Sequence, residues 1–179
     1  MIGWLIVACE VVFWVMILSG LIVRYFFKKR RAGILLLLLT PLIDLTLLVA
    51  TVWDIRSGTA ASYLHGLAAI YIGGTVAYGH RMINWADSHF AYRFAGGARP
   101  AKPPKTGAAH AAVERAGWYR HLLAWVIGSA LLAVMILMIG QPERTRIFER
   151  IIGGWACIMV IDFVISFSYT LWPRRPTNK

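Results

Sequence analysis

The sequence predicts an all-α protein, a polytopic transmembrane helical bundle with five spans, and three observations lead to this fold class. First, 59% of the 179 residues are hydrophobic and the mean hydropathy is +0.62, whereas apolar residues make up about 45–50% of a soluble domain. Second, long apolar runs recur along the chain. Third, most of the charged residues lie between those runs. A chain of this length has room for several spans and short links in a single membrane domain.

Five apolar runs of roughly 20 residues are the predicted spans, because a helix of that length crosses a hydrocarbon layer of ~30 Å. They are Ile2–Val23, Gly33–Trp53, Ala61–Ile83, His121–Gly140 and Ile151–Trp172. The third run contains four glycines and two histidines, so a re-entrant or interfacial segment is an alternative for it. The predicted links are 24–32, 54–60, 84–120 and 141–150, and the longest contains a flexible linker over residues 96–107.

The basic residues predict the orientation of the bundle. With five spans, 15 of the 19 lysines and arginines fall on one side, and only Arg56, Arg144, Arg146 and Arg150 fall on the other. The positive-inside rule therefore predicts an outside N-terminus and a cytoplasmic C-terminus. The same rule accounts for the net charge of +11, so no nucleic-acid partner is predicted. The expected partner is a lipid bilayer with anionic headgroups.

Other sequence features exclude several chemistries. Cys9 and Cys157 lie inside apolar runs, which argues against a structural disulfide. The first run continues past Cys9 with no basic segment before it, so we interpret it as a retained span rather than a cleaved signal. The chain lacks a P-loop, a CxxC pair, an HExxH motif and a nucleophile elbow. We therefore predict no catalytic residue, no metal and no cofactor, and an enzyme is the less favoured class.

Three acidic residues near the middle of apolar runs are the most informative feature for function. Glu10, Asp44 and Asp162 are predicted at roughly one depth, and no lysine or arginine shares that depth. A charged side chain at mid-bilayer costs on the order of 2.5–3.5 kcal/mol even on lenient scales. A proton, a bound cation or a polar partner must offset this cost. We predict a proton- or ion-binding site formed by these acids with help from Tyr71 and His65.

The helical spacing gives two of the acids polar companions on their own helices. Asp44 shares a stripe with Thr40 and Thr51, and Asp162 shares one with Ser166 and Tyr169. In addition, Pro41 lies one turn before Asp44 and leaves the carbonyl of Leu37 without its helical hydrogen bond. These companions keep an alternative open, in which each acid is a protonated carboxyl that only joins neighbouring helices. A rotation of the spans that keeps the acids apart is a further alternative.

Two more alternatives rest on other residues. His80 and His121 are predicted near the inner ends of their spans, where a pair of histidines suits a haem or a metal. Interfacial histidines that face headgroups are the simpler interpretation. A face of small residues in the third run, formed by Gly66, Ala69, Gly73 and Ala77, favours close helix packing. That packing could lie within one chain, in a homodimer or against a partner membrane subunit.

Several segments resemble a known family. They are the runs 65–73, 79–87, 93–97 and 162–170, which are similar to those of the small YmcC-type integral membrane proteins of Gram-positive bacteria. The likeness covers most of the chain, and residues 98–109 are the least characteristic part. The resemblance implies a multi-pass protein of the bacterial cytoplasmic membrane and carries over no catalytic residue.

Taken with the acids, these features predict a transporter-like protein that handles protons or a cation at a mid-membrane acidic site. The alternative is a non-transporting accessory or scaffold membrane protein whose buried acids only join helices.

Overall fold

The computed structural model describes residues 2–94 and 96–174, apart from the side chains of residues 2–7, 9, 10, 13, 30, 38, 41 and 94. Over these residues the chain forms five α-helices and no strand. The helices are α1 (Ile2–Tyr25), α2 (Arg30–Arg56), α3 (Tyr63–Phe94), α4 (Gly107–Ile139) and α5 (Pro142–Leu171). The predicted all-α class is confirmed.

Three of these helices combine the length and the hydropathy of a membrane span within the described residues. They are α2 over Arg31–Arg56, α4 over Gly107–Ile139 and α5 over Pro142–Leu171, with mean hydropathies of 2.3, 2.7 and 2.0 in their most apolar windows. A shorter apolar segment, Trp14–Tyr25, lies in α1. The number of five spans and the orientation of the termini stay predictions.

The start of α5 differs from the predicted link. Residues 142–150 are helical, so only Gly140 and Gln141 separate α4 from α5. Gly140 has a φ of 66°, and its N–H donates to the carbonyl of Ile136 at 3.0 Å. A left-handed glycine is a common helix terminator, and a proline fits the first position of the next helix. The charged side chains of 142–150 therefore lie on an amphipathic helix rather than in a loop.

The long predicted link between the third and fourth spans is also mostly helical. α3 continues to Phe94 and α4 begins at Gly107, while residues 96–105 between them are not helical. Helices that are longer than the apolar runs extend past the hydrocarbon layer into the headgroup region. Of the basic residues in the predicted link, Arg93, Arg115 and Arg120 lie on helices, and Arg99, Lys102 and Lys105 lie in the segment between them.

The chain divides into two compact units, and α3, α4 and α5 contribute to both. Unit 1 contains the described residues up to Ile72 together with Gly128–Ile151, and unit 2 contains Gly73–Ile127 together with the chain from Ile152 onward. In unit 1 the core includes fully buried Ile55, Leu132 and Phe148.

Close backbone contact joins α1 to α2 in unit 1. A Cβ atom on Gly33 would overlap the Cα and Cβ of Arg24 and would lie 2.7 Å from the carbonyl oxygen of Gly20. No other residue fits at Gly33 without moving one helix away from the other. Small residues at a crossing point are how membrane helices gain packing contacts that lipid cannot supply.

In the N-terminal half of α3, the small-residue face packs against other parts of the same chain. A Cβ on Gly66 would lie 2.6 Å from Cδ1 of Ile151 and 3.8 Å from Cδ1 of Phe148. Ala69, on the same face, is fully buried. At Gly66 the face is covered by α5 and by Leu132 of α4, so packing within one chain, one of the uses that the sequence left open, is observed there.

Candidate functional site

Asp162 pairs with a histidine in unit 2. Nδ1 of His121 lies 2.9 Å from Oδ2 of Asp162, and the two side chains are 23% and 34% exposed. His121 lies on α4 beside Asp162 of α5, and two tryptophans of α4 form hydrogen bonds to the backbone of α5. Nε1 of Trp118 donates to the carbonyl of Met159 at 3.2 Å, and Nε1 of Trp125 donates to that of Ile152 at 3.3 Å. These contacts fix the register in which the two helices meet.

The second ring nitrogen of His121 determines where its proton lies. Nε1 of Trp155 lies 2.9 Å from Nε2 of His121, and an indole N–H can only donate. Nε2 is therefore an acceptor without a proton, and the neutral imidazole carries its proton on Nδ1. That N–H then donates to Asp162. Trp155 and Asp162 together select one tautomer of His121 and fix the orientation of its ring.

The other carboxylate oxygen of Asp162 also has a donor. The hydroxyl of Ser166, a residue that is only 2% exposed, donates to Oδ1 at 3.3 Å. Of the two residues predicted on the same stripe as Asp162, Ser166 is thus its hydrogen-bond donor, whereas the hydroxyl of Tyr169 accepts from Arg174. The sequence predicted no lysine or arginine at the depth of Asp162, and the structure supplies His121 as its hydrogen-bonding partner.

Asp44 in unit 1 has a different environment. It is 3% exposed, and its Oδ2 has no hydrogen-bond partner among the described residues. Thr51 on the same helix is fully buried, and its Oγ1 is likewise without a described partner. The Thr40 hydroxyl donates at 2.7 Å to the carbonyl of Leu37, which Pro41 leaves without its usual donor. Asp44 therefore has an oxygen that can still accept a hydrogen bond or bind a cation.

His65 contacts the turn between α2 and α3. The backbone N–H of Ser62 donates to its Nδ1 at 3.0 Å, so the neutral ring has its proton on Nε2. Nε2 lies 3.7 Å from Oδ2 of Asp54. Arg144 also contacts the end of α2, where its Nη1 donates to the carbonyl of Ile55 at 3.1 Å. The observed partners of His65 thus lie at the end of α2 and in the turn before α3 rather than at Asp44.

For Glu10 and Tyr71, the remaining predicted site residues, the structure gives the position on a helix. Glu10 lies in α1, but its side chain is outside the described part of the structure. Tyr71 is 40% exposed on α3. Asp44 and Asp162 belong to different units, and each is surrounded by its own neighbours. A common site for the three acids stays a prediction.

At His80 and His121, the alternative bis-histidine haem or metal site, the observed partners are other side chains. Both ring nitrogens of His121 are engaged, and Nε2 of His80 lies 2.9 Å from Nδ2 of Asn84. Over residues 2–94 and 96–174, the side chains that are described include no cluster of three histidine, cysteine or acidic groups arranged for a metal.

The chain has a curated relative of nearly the same length. It is 47% identical over 175 residues to "Uncharacterized membrane protein YmcC" of Bacillus subtilis (strain 168), and the match covers 97% of this chain and 94% of that protein. The chain belongs to the YmcC family. The predicted resemblance is therefore confirmed, and the name of the relative agrees with a membrane protein. No family model and no solved structure matches the chain.

Sequence reasoning missed two residues of the Asp162 cluster in this YmcC-family protein. It placed His121 at the inner membrane surface and assigned no role to Trp155. A usable signal was present, because His121 and Asp162 lie at nearly equal distances along the chain from the turn at Gly140. Antiparallel helices joined by a short turn bring such residues to the same level.

Proposed function

We propose that this YmcC-family protein moves protons or a cationic solute across the bacterial cytoplasmic membrane, with Asp162 as its principal proton-binding residue. The proposal includes five spans with the N-terminus outside. The observation that carries it is the hydrogen bond of 2.9 Å between Asp162 and His121, at a carboxylate that is 34% exposed. Ionisable side chains within membrane helices commonly mark ion pathways and proton relays.

The bonding pattern directs an incoming proton to Asp162. His121 cannot accept one at Nε2 while the Trp155 N–H points at that nitrogen, and its Nδ1 already carries a proton. The carboxylate of Asp162 is then the available base. When Oδ1 takes the proton, the Ser166 hydroxyl turns from donor to acceptor, as a rotatable O–H allows. Loss of the proton restores the first arrangement, so the cluster has two bonded states that differ by one proton.

The proposal also gives roles to other residues of the predicted site. Asp44 offers a buried oxygen without a described partner, which suits a second proton or a bound cation. Glu10, Tyr71 and His65 are retained as proposed ion-binding or assisting residues. Asp162 comes first among these residues because both of its carboxylate oxygens have observed hydrogen-bond donors.

A second candidate is supported by the same helices. The bonds of Trp118, Trp125 and His121 all join α4 to α5, as expected if polar groups only hold a scaffold together. In that case the protein is an accessory membrane subunit, and Asp162 is a structural residue. The two candidates differ in what happens when Asp162 keeps its shape and hydrogen bonds but cannot ionise.

Asp162→Asn makes this distinction. The full-length protein is reconstituted in vesicles that contain a pH-sensitive dye, and a pH jump drives proton entry. The amide oxygen of Asn can still accept the His121 N–H, so folding is retained while proton binding is lost. We expect the wild-type flux to fall about 100-fold or to the level of empty vesicles, in line with the contribution of a positioned proton-transfer group. Glu149→Gln, at an exposed acid of α5, should leave the flux unchanged.

Two outcomes would contradict the proposal. Equal flux in wild type and Asp162→Asn would remove Asp162 from the pathway and favour the accessory role. Wild-type vesicles that conduct no better than empty ones, both under a pH jump and with a monovalent cation gradient, would remove transport altogether.

A further inference from the structure

A groove lies beside the turn between α1 and α2 in unit 1. It has a volume of about 520 Å³, in the range of small-molecule pockets. Its lining residues are Val23, Phe27, Lys29, Ala32, Leu35 and Leu36. Five of the six are apolar, and the lysine is at the α2 N-terminus. The groove is therefore amphipathic, with an apolar channel and a cationic end.

Exposed aromatic side chains border the groove. Phe26 is 81% exposed and Phe27 is 60% exposed, and their rings meet edge to face with centroids 5.6 Å apart. Leu35, further along the channel, is 62% exposed. Apolar side chains exposed to this degree indicate contact with another apolar phase. At the end of a membrane helix, that phase is the acyl region of the lipids.

Basic residues are close together in the chain around Lys29, the one basic residue in the groove lining. Lys28, Lys29 and Arg31 follow each other closely and are exposed. Lys28 has a φ of 55°, so the chain reverses sharply between the two helices. Lys29 is exposed at the N-cap position of α2 and lines the groove. The N-terminus of α2 adds a partial positive charge of its own.

We propose that this groove binds one anionic phospholipid, with an acyl chain along Val23, Ala32 and Leu35 and the phosphate between Lys28 and Lys29. A phospholipid is the occupant because it joins an anion to an apolar chain, which matches the two parts of the groove. The predicted cytoplasmic location agrees, since that leaflet carries the anionic lipids. This binding site does not depend on the proposed transport.

The test compares two lipids with the same acyl chains on the full-length protein in detergent. Phosphatidylglycerol and phosphatidylcholine are titrated, and bound lipid is counted by native mass spectrometry. We expect phosphatidylglycerol to bind at least about tenfold more tightly. Lys28→Gln with Lys29→Gln should weaken its binding about 30-fold, because each basic residue near an anionic lipid contributes roughly a fivefold factor. Lys102→Gln with Lys105→Gln, an equal loss of charge at exposed positions, should bind as the wild type does.

A second variant examines the apolar channel alone. Ala32→Trp fills the groove at an exposed position and keeps every charge, so it should reduce binding of both lipids about tenfold or more. Ala101→Trp, at an exposed position outside the groove, is its control. The proposal is overturned if the two lipids bind equally, if both lysine pairs give the same loss, or if Ala32→Trp binds lipid normally while its helix content is unchanged.

Discussion

The contact between α1 and α2 in unit 1 differs in kind from the contact between α4 and α5 in unit 2. The first brings backbone against backbone at Gly20 and Gly33. The second is joined by side-chain hydrogen bonds, in which His121 bonds Asp162 and two tryptophans bond carbonyls. In lipid, helices gain little from burying apolar surface against each other. Close backbone packing and side-chain hydrogen bonds are two other ways to hold helices together in lipid, and this chain uses both.

Asp162 in unit 2 and Asp44 in unit 1 also differ in their hydrogen bonds. Both carboxylate oxygens of Asp162 have donors, whereas Oδ2 of Asp44 has no partner among the described residues. A satisfied acid contributes to packing, but an unsatisfied one costs free energy unless it is protonated or binds something. The difference teaches that an acid within an apolar helix can have donors on both oxygens or an oxygen without a described partner, and that burial alone does not tell which.

The largest expected effect is at the backbone contact. Gly33→Ala should lower the free energy of unfolding by about 1–3 kcal/mol, because the new methyl group meets the backbone of α1 rather than a mobile side chain. Gly74→Ala is the matched control, since a Cβ at Gly74 meets nothing within 4 Å. Thermal unfolding in the same detergent measures both. Equal stability of the two variants would show that α1 and α2 do not approach as described.

The next effect concerns the polar contact. Asp162→Leu leaves the His121 N–H without its acceptor and should cost about 1–2 kcal/mol, and His121→Leu should cost a similar amount. In a double-mutant cycle, the coupling energy of such a pair in a membrane protein is expected at about 0.6–1.7 kcal/mol. Glu149→Leu, at an exposed acid, serves as the control and should change stability little. A coupling energy of zero would mean that the pair contributes nothing to the helix contact.

The smallest expected effect is an increase in stability, in contrast to the losses expected at Gly33 and Asp162. Asp44→Leu replaces a buried, incompletely bonded carboxyl with an apolar group of similar size, so we expect unfolding to cost about 1 kcal/mol more. Asp44→Asn keeps the polarity and should change stability less. Destabilisation by Asp44→Leu as large as that of Asp162→Leu would indicate that a ligand or another side chain occupies the free oxygen of Asp44 in the membrane.

Much of the fold follows from the sequence in physical terms. The apolar runs predicted all five helices, because length and hydropathy are local properties. The small face at Gly66 and Ala69 and the bond between Ser166 and Asp162 followed from helical spacing. The start of α5 does not follow, because the charged residues over 141–150 predict a link. In fact they cover one face of a helix whose other face buries Thr145 and Phe148.

That single boundary explains why the partner of Asp162 was missed. Shifting the start of α5 changes which residues of α4 and α5 lie at the same level. With a ten-residue link, His121 and Asp162 fall at different depths, whereas with the turn at Gly140 and Pro142 they meet. The tautomer of His121 was beyond sequence reasoning for a different reason. It depends on Trp155, whose hydrogen bond exists only once both helices have packed.

The turn at Gly140 also bears on how the protein is made. Two residues between α4 and α5 leave no length of chain that could be translocated on its own after the first of the two helices has inserted. For the two spans proposed here, we therefore expect α4 and α5 to enter the bilayer together as a hairpin. In such a hairpin the pairing of His121 with Asp162 forms within one inserting unit, so each polar side chain has its partner there.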